Sequence, residues 1–145
     1  MSTPTDLPGA REIAQTCLCF QTQRAARALA RRFDAAFRPL GITNGQFSLM
    51  TMLSGAETRR MKDIAAFLTM DRTTLTAALK KLERDRMVEV AADPKDGRGR
   101  LVSLTPKGRR ILDRAKPVWK EEHALLEAER DIDAGALRRN LQALA

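Results

Sequence analysis

The chain has 145 residues, 43% of them hydrophobic, with a formal net charge of +8 and a sequence pI near 10.3. Such values suit one folded domain with appended helices, exclude a disordered chain, and point to a polyanionic partner. The charge is unevenly placed, +4 over residues 1–60, +5 over 61–110 and −1 over 111–145, which favours a directed cationic face over a general solubility device.

No apolar run is long enough to span a bilayer, and Met1 to Arg11 lacks the apolar centre of a secretion signal, so a cytosolic protein with no membrane partner is expected. The first ten residues, with Pro4, Pro8 and Gly9, read as a flexible arm. A first helix is predicted from about Ala10 to about Phe37, ending near Pro39-Leu40-Gly41. Its two cysteines, Cys17 and Cys19, are not spaced as zinc ligands. Within one helix, positions two apart point about 200° away from each other, so the pair is not expected to bridge. They read either as small apolar core residues or as a thiol sensor.

Thr43-Asn44-Gly45-Gln46 has capping-box spacing and opens a second helix carrying Phe47, Leu49, Met50 and Leu53, closed by Ser54-Gly55-Ala56. A third helix spans about Met61 to Leu68, and Thr69-Met70 is only long enough for a turn before Asp71 caps a fourth, reaching Arg86. On a helical wheel Leu75, Ala78, Leu79 and Leu82 cluster on one side. Opposite lie Thr73, Ala77, Lys80 and Arg84, flanked by Thr76 and Lys81. Short Thr and Ala side chains near the helix start let a backbone approach base edges, whereas Arg72, Lys80, Lys81 and Arg84 suit phosphates. Thr74 completes the candidate reading set.

Val88-Glu89-Val90 and Leu101-Val102-Ser103-Leu104 flank a Gly-rich cationic turn, Asp93 to Arg100, and predict a β-hairpin whose tip carries Lys95, Asp96, Arg98 and Arg100. A helix-turn-helix followed by a basic hairpin is a winged helix, so the expected fold is mostly α with a small β-hairpin wing. Thr105, with Pro106 at the first helical position, caps a fifth helix running toward Glu129, and Asp133 caps a short last one. Pro117 should kink the fifth helix. No catalytic constellation is present: the lone His123 sits beside Glu122 but faces another way and reads as a surface histidine, and no serine has a nucleophile context. No enzyme activity, metal or cofactor is expected.

These residues resemble the MarR family of transcriptional regulators. The likeness covers Leu18 to Glu129 and is most specific in the wing pattern Asp-x-Arg-Asp-x-Arg followed by Leu-Thr-x-x-Gly. Here the pattern is Asp93-Pro94-Lys95-Asp96-Gly97-Arg98, then Leu104-Thr105-Pro106-Lys107-Gly108, with Lys95 in place of the first arginine. Arg38-Pro39-Leu40-Gly41-Ile42-Thr43 followed by Gln46-Phe47 is similar to the family's first helix junction. The resemblance implies that Arg98 enters the minor groove of double-stranded DNA and that Asp96 orients it. It also implies a homodimer on a pseudo-palindromic site, with the first and last helices at the interface. For that interface Leu112, Ala115, Trp119, Leu125 and Leu126 of the fifth helix and Leu137, Leu141 and Leu144 of the last are candidates. The chain then divides into an arm (1–10), an N-terminal dimerisation helix (11–42), a winged helix-turn-helix DNA-binding domain (43–108) and C-terminal dimerisation helices (109–145).

Three readings follow. In the first, a dimeric repressor is released from its operator by a small aromatic or amphipathic effector, in a pocket at the Pro39-Leu40-Gly41 junction with Trp119 as a wall. The second is a thiol-oxidation switch at Cys19 or Cys17, because Leu18-Cys19-Phe20 is similar to the reactive-cysteine segment of the family's organic-peroxide-sensing branch. That branch holds its thiolate with tyrosines, which this chain lacks, so the first reading takes precedence. The third is an architectural or protein-interaction winged helix.

Overall fold

The computed structural model describes residues 7–55 and 57–145, so most of the expected arm, and Ala56 at the close of the second helix, lie outside the described residues. In chain order come α1 (Ala10–Thr16), α2 (Leu18–Phe37), a 3-10 turn (Arg38–Leu40), α3 (Asn44–Leu53), β1 (Arg59–Arg60), α4 (Met61–Phe67) and α5 (Arg72–Arg84). β2 (Val88–Asp93), β3 (Asp96–Leu104), α6 (Pro106–Glu129) and α7 (Ala134–Ala143) complete the chain. The three strands form one antiparallel sheet in the order β1-β3-β2.

The expected first helix is two helices. Cys17 leaves helical conformation at ψ 115°, and its Sγ caps α2 by accepting the Phe20 N–H at 3.4 Å. Across the break the Gln21 side chain donates to the Ala14 carbonyl, in place of the lost backbone bond. Cysteine is not among the preferred cap residues, so nothing in the pattern marked the interruption. Cys17 is half-buried and Cys19 exposed, both free; neither is a core residue. α6, by contrast, is one helix through Pro117, which lies on its exposed side.

The other helix starts follow their caps. Thr43 and Gln46 form the reciprocal capping box, Asp71 accepts the Thr74 N–H at 2.8 Å, and Thr105 and Asp133 cap α6 and α7. The core gathers Phe37, Met50, Leu53, Ile64, Leu75, Leu79, Leu82, Val88, Val102 and Leu112, all fully buried. Each such side chain contributes roughly 1.5–3 kcal/mol by leaving water. Phe37 stacks on Phe47 with ring centroids 4.7 Å apart, and the Asp34 carboxylate accepts the Asn44 N–H, fixing α3 against α2. Leu112 and Ala115 belong to this interior and are not available as interface residues, which corrects their expected role.

One residue locks α6 to the winged helix. The Gly108 N–H donates to Thr105 Oγ1, the Thr105 hydroxyl donates to the Arg86 carbonyl, and the Thr105 N–H donates to the Met87 carbonyl. A Cβ on Gly108 would stand 2.1 Å from the Met87 carbonyl oxygen. The Leu-Thr-x-x-Gly run is therefore a packing clamp at the end of α5, and its glycine is there for close backbone approach.

Candidate nucleic-acid interface

Helix α5 turns Leu75, Leu79 and Leu82 inward, and leaves Arg72, Thr73, Thr74, Ala77, Lys80, Lys81 and Arg84 exposed. Thr76 is half-buried, its hydroxyl 3.9 Å from Met61 Sδ. Thr74 differs from its neighbours because its hydroxyl already donates to Asp71 at 2.8 Å. The N–H and then the hydroxyl of Thr74 hold the Asp71 carboxyl below the usual carboxylate range. The start of α5 is thus stiffened by its own cap.

The hairpin is longer and its turn tighter than expected. Pro94 and Lys95 alone make the turn, the Asp93 carboxylate accepting the Lys95 N–H at 2.9 Å in an Asx arrangement. Pairing then jumps from Asp93 opposite Asp96 to Ala92 opposite Arg100, so that Gly97, Arg98 and Gly99 bulge out of the ladder. Arg98 sits on this bulge between two glycines and not at the tip. Asp96 accepts the Arg98 backbone N–H at 3.1 Å; among the described residues no ion pair joins it to the Arg98 guanidinium. Asp96 thus holds the bulge through the Arg98 backbone. The buried carboxylate of the hairpin is Asp93, which faces Arg60 of β1 at 3.6 Å. Nothing in the sequence pattern marks the burial of Asp93 or the two-residue β1.

Between α5 and the hairpin lies a cleft of about 490 Å³, lined by Met61, Arg72, Thr76, Leu79, Lys80, Glu83, Val90, Arg98 and Arg100. Four of its side chains are cationic and one is acidic. Among the described residues none of Arg72, Lys80, Lys81, Arg84, Lys95, Arg98 and Arg100 is held in an ion pair. A helix and a ribbon presenting unneutralised guanidinium and ammonium groups on one side are arranged to meet closely spaced phosphates.

A second concavity lies away from this face. Ala26, Leu29, Ala30 and Phe33 of α2, Asn44 of α3, and Trp119 and His123 of α6 line a shallow groove of about 320 Å³. The first, second and fifth helices of the sequence reading meet beside Trp119, but Pro39, Leu40 and Gly41 do not line the groove, so it is not at the expected junction. His123 is no plain surface residue: it is half-buried, its ring 5.9 Å from Phe33 and 5.3 Å from Trp119, with Nδ1 3.2 Å from Glu127. Nearby, Arg32 of α2 binds Glu122 and Glu129 of α6. Hydrogen bonds to Glu129 and then Glu122 hold its guanidinium above its ordinary value, and Arg32 in turn lowers Glu129. Among the described residues no group of three or more His, Cys, Asp or Glu side chains is placed to hold a metal, and no helix is long and apolar enough to cross a membrane.

Residues 40–99 match the model of the MarR family. The chain is similar to the M. tuberculosis transcriptional regulator MosR solved in complex with DNA, at 39% identity and a TM-score of 0.81, covering 88% of this chain and 92% of that one. It is 32% identical over 99 residues to the transcriptional activatory protein BadR of Rhodopseudomonas palustris, covering 66% of this chain but only 57% of that protein's length. It is also 29% identical over 98 residues to the organic hydroperoxide resistance transcriptional regulator of Bacillus subtilis, covering 68% and 67% of the two.

Proposed function

The chain belongs to the MarR family of DNA-binding transcriptional regulators and is not an enzyme; from that premise we propose that it acts as a homodimeric repressor. Each subunit places α5 in a major groove and the β2–β3 bulge in the neighbouring minor groove of a pseudo-palindromic operator. Half-sites then repeat at about one helical turn, roughly 10 bp. The observation that carries this reading is the unneutralised cleft between Arg72 and Lys80 on α5 and Arg98 and Arg100 on β3. Thr73, Thr76 and Ala77 read bases, Thr74 secures the helix start, and Arg72, Lys80, Lys81 and Arg84 hold phosphates, joined on the wing by Lys95.

The second subunit is supported by apolar surface that one chain leaves open. Ile13, Leu18, Phe20, Leu29, Leu125, Ile132, Leu137, Leu141 and Leu144 are all exposed, on or beside α1, α2, α6 and α7. Exposed large apolar side chains on four helices suit burial against a second copy. Release follows if an aromatic or amphipathic effector, seated in the groove by Trp119, binds a dimer whose α5 helices no longer match the operator spacing more tightly than one in which they do.

Selection of bound sequences from random DNA supplies the operator on which this is tested. Arg98→Ala should weaken binding to it by about 1–3 kcal/mol and lower the salt dependence, with folding stability unchanged. Thr73→Val, Thr76→Val or Ala77→Gln should change which bases are preferred, whereas Lys80→Ala and Lys81→Ala should weaken every sequence alike. Unchanged base preference in all three groove-facing variants would move the reading surface elsewhere. An architectural module would bind DNA with salt dependence but no preferred sequence.

The break at Cys17 favours a second mode of control. It places the Cys17 sulfur at the N-terminus of α2, accepting the Phe20 N–H, and takes the two cysteines out of one continuous helix. Organic hydroperoxide should then release the protein from operator, an effect lost in Cys17→Ser or Cys19→Ser. Indifference to oxidant, with release by a phenolic or carboxylic compound, would leave the effector groove as the switch.

A further inference from the structure

We propose that the Arg60–Asp93 pair is a positioning element of the wing: it ties the hairpin turn to the start of α4 and thereby sets where Arg98 stands relative to α5. The inference rests on the reading of the wing as a DNA contact and adds two residues to it. β1 is only Arg59 and Arg60, paired with Val102 and Leu101 of β3, and its two side chains go opposite ways. Arg59 donates to the Met52 carbonyl in the last turn of α3, while Arg60, at the cap position of α4, reaches Asp93 on the outermost pair of the hairpin. The short strand thus fastens the helical body on one side and the wing on the other.

Asp93 is suited to receive that fastening because its carboxylate is almost wholly buried, and a buried charge needs partners. The Lys95 N–H supplies one at 2.9 Å and the Arg60 guanidinium the other at 3.6 Å, a Coulombic contact longer than a hydrogen bond. Gly99 closes over the pair: a Cβ there would lie 3.3 Å from the Asp93 Cβ. Arg60, Asp93, Arg72, Arg98 and Arg100 line one nook of about 90 Å³, and Asp93 pairs with Asp96 where the bulge begins, so a shift of the turn moves the bulge that carries Arg98. Because Arg60 is half-exposed and the contact is 3.6 Å long, solvent screens much of the pair's attraction. Its consequence is geometric, and it also keeps one arginine neutralised beside the DNA-facing surface.

Two duplexes, the selected operator and a scrambled sequence of equal length, separate these effects when wild type, Arg60→Gln, Asp93→Asn, the double variant and Arg98→Ala are titrated over a range of salt. Asn at 93 retains an acceptor for the Lys95 N–H, so the turn survives. Each single change should reduce the ratio of operator to scrambled affinity about tenfold, and the double variant should go no lower than either. Asp93→Asn should also raise affinity for scrambled DNA and steepen its log–log salt slope by up to about one unit, as Arg60 is freed for a phosphate. Arg60→Lys should keep more of the ratio than Arg60→Gln. Multiplying losses in the double variant, or an unchanged ratio in Asp93→Asn, would overturn the pair while leaving the wing reading intact. An unchanged ratio in Arg98→Ala would instead remove the wing reading beneath it.

Discussion

Between Ile42 and Ala115 a single large apolar side chain, Phe67, is exposed among the described residues, whereas α1 and α7 bury no residue at all. Each region has one helix without a side-chain cap, α1 and α4, and side-chain caps on others, so the difference does not lie in local structure. The winged helix closes its interior with residues of one chain, α6 contributing Leu112 and Ala115 as a lid. The terminal helices present Leu137, Leu141 and Leu144 on one side and Ile13 on the other, and nothing in the same chain covers them. The contrast teaches that the winged helix closes its interior within one chain, whereas α1 and α7 leave apolar side chains that this chain does not cover.

The closed region breaks most readily at its clamp. Gly108→Ala forces a methyl group against the Met87 carbonyl, backbone meeting backbone, with no flexible side chain to yield. A loss near the upper end of overpacking costs, about 3 kcal/mol, is expected in urea unfolding. A loss under about 1 kcal/mol would mean that α6 is free to slide along β3 and that the unit is less closed than described.

The open region breaks without touching that core. Leu137→Glu with Leu141→Glu places two charges on the exposed stripe of α7. The variant should sediment at half the wild-type mass and lose preference for operator over scrambled DNA, while the cooperative unfolding of the winged helix persists. A dimer of unchanged mass would place the partner surface on other helices.

A smaller effect tests how firmly α5 is held within the closed unit. The Asp71 carboxyl is held below its ordinary value by the Thr74 N–H and hydroxyl, so its contribution to stability is present above about pH 4 and disappears as the pH falls through the lowered folded value. Asp71→Asn keeps a cap acceptor that does not titrate. Wild type should therefore be the more stable at pH 7, and the difference should vanish in acid. A difference independent of pH would show that the charge of Asp71 plays no part.

Much of the closed region was legible because its signals are local. The Thr43 capping box, Asp71 and Thr105-Pro106 each announce a helix within four residues, and the inward leucines of α5 repeat at helical spacing. What escaped depends on partners far along the chain. Asp93 looks like any turn residue until Arg60 is brought to it. His123 looks like a surface residue until Phe33 packs on its ring. Leu112 and Trp119 share a helix and a hydrophobic character, yet one faces the core and the other a groove. Two residues of β1 are too few to show alternation, and the cap at Cys17 uses a residue that seldom caps.

The smallest expected effect concerns strain inside the closed region. α4 and α5 both end with a six-to-one backbone bond, Met70 N–H to the Ala65 carbonyl and Met87 N–H to the Leu82 carbonyl, each with a left-handed residue just past the helix. Glycine is usual at such positions, but here they are Thr69 at φ 50° and Arg86 at φ 59°. Thr69 is the more strained because its branched Cβ crowds the backbone in that conformation. It occupies the turn that sets α5 against α4, and hence the angle at which α5 is presented. Thr69→Gly removes about 1–2 kcal/mol of left-handed strain and adds about 0.5–1 kcal/mol of chain entropy to the unfolded state, so a net gain of about 0.5–1 kcal/mol is expected. The gain should appear in unfolding and leave operator affinity little changed, since the backbone path is already the one glycine prefers. A loss of stability would mean that the Thr69 side chain makes contacts that outweigh its strain. A gain in stability with weaker operator binding would mean that threonine there holds α5 at an angle that glycine lets relax.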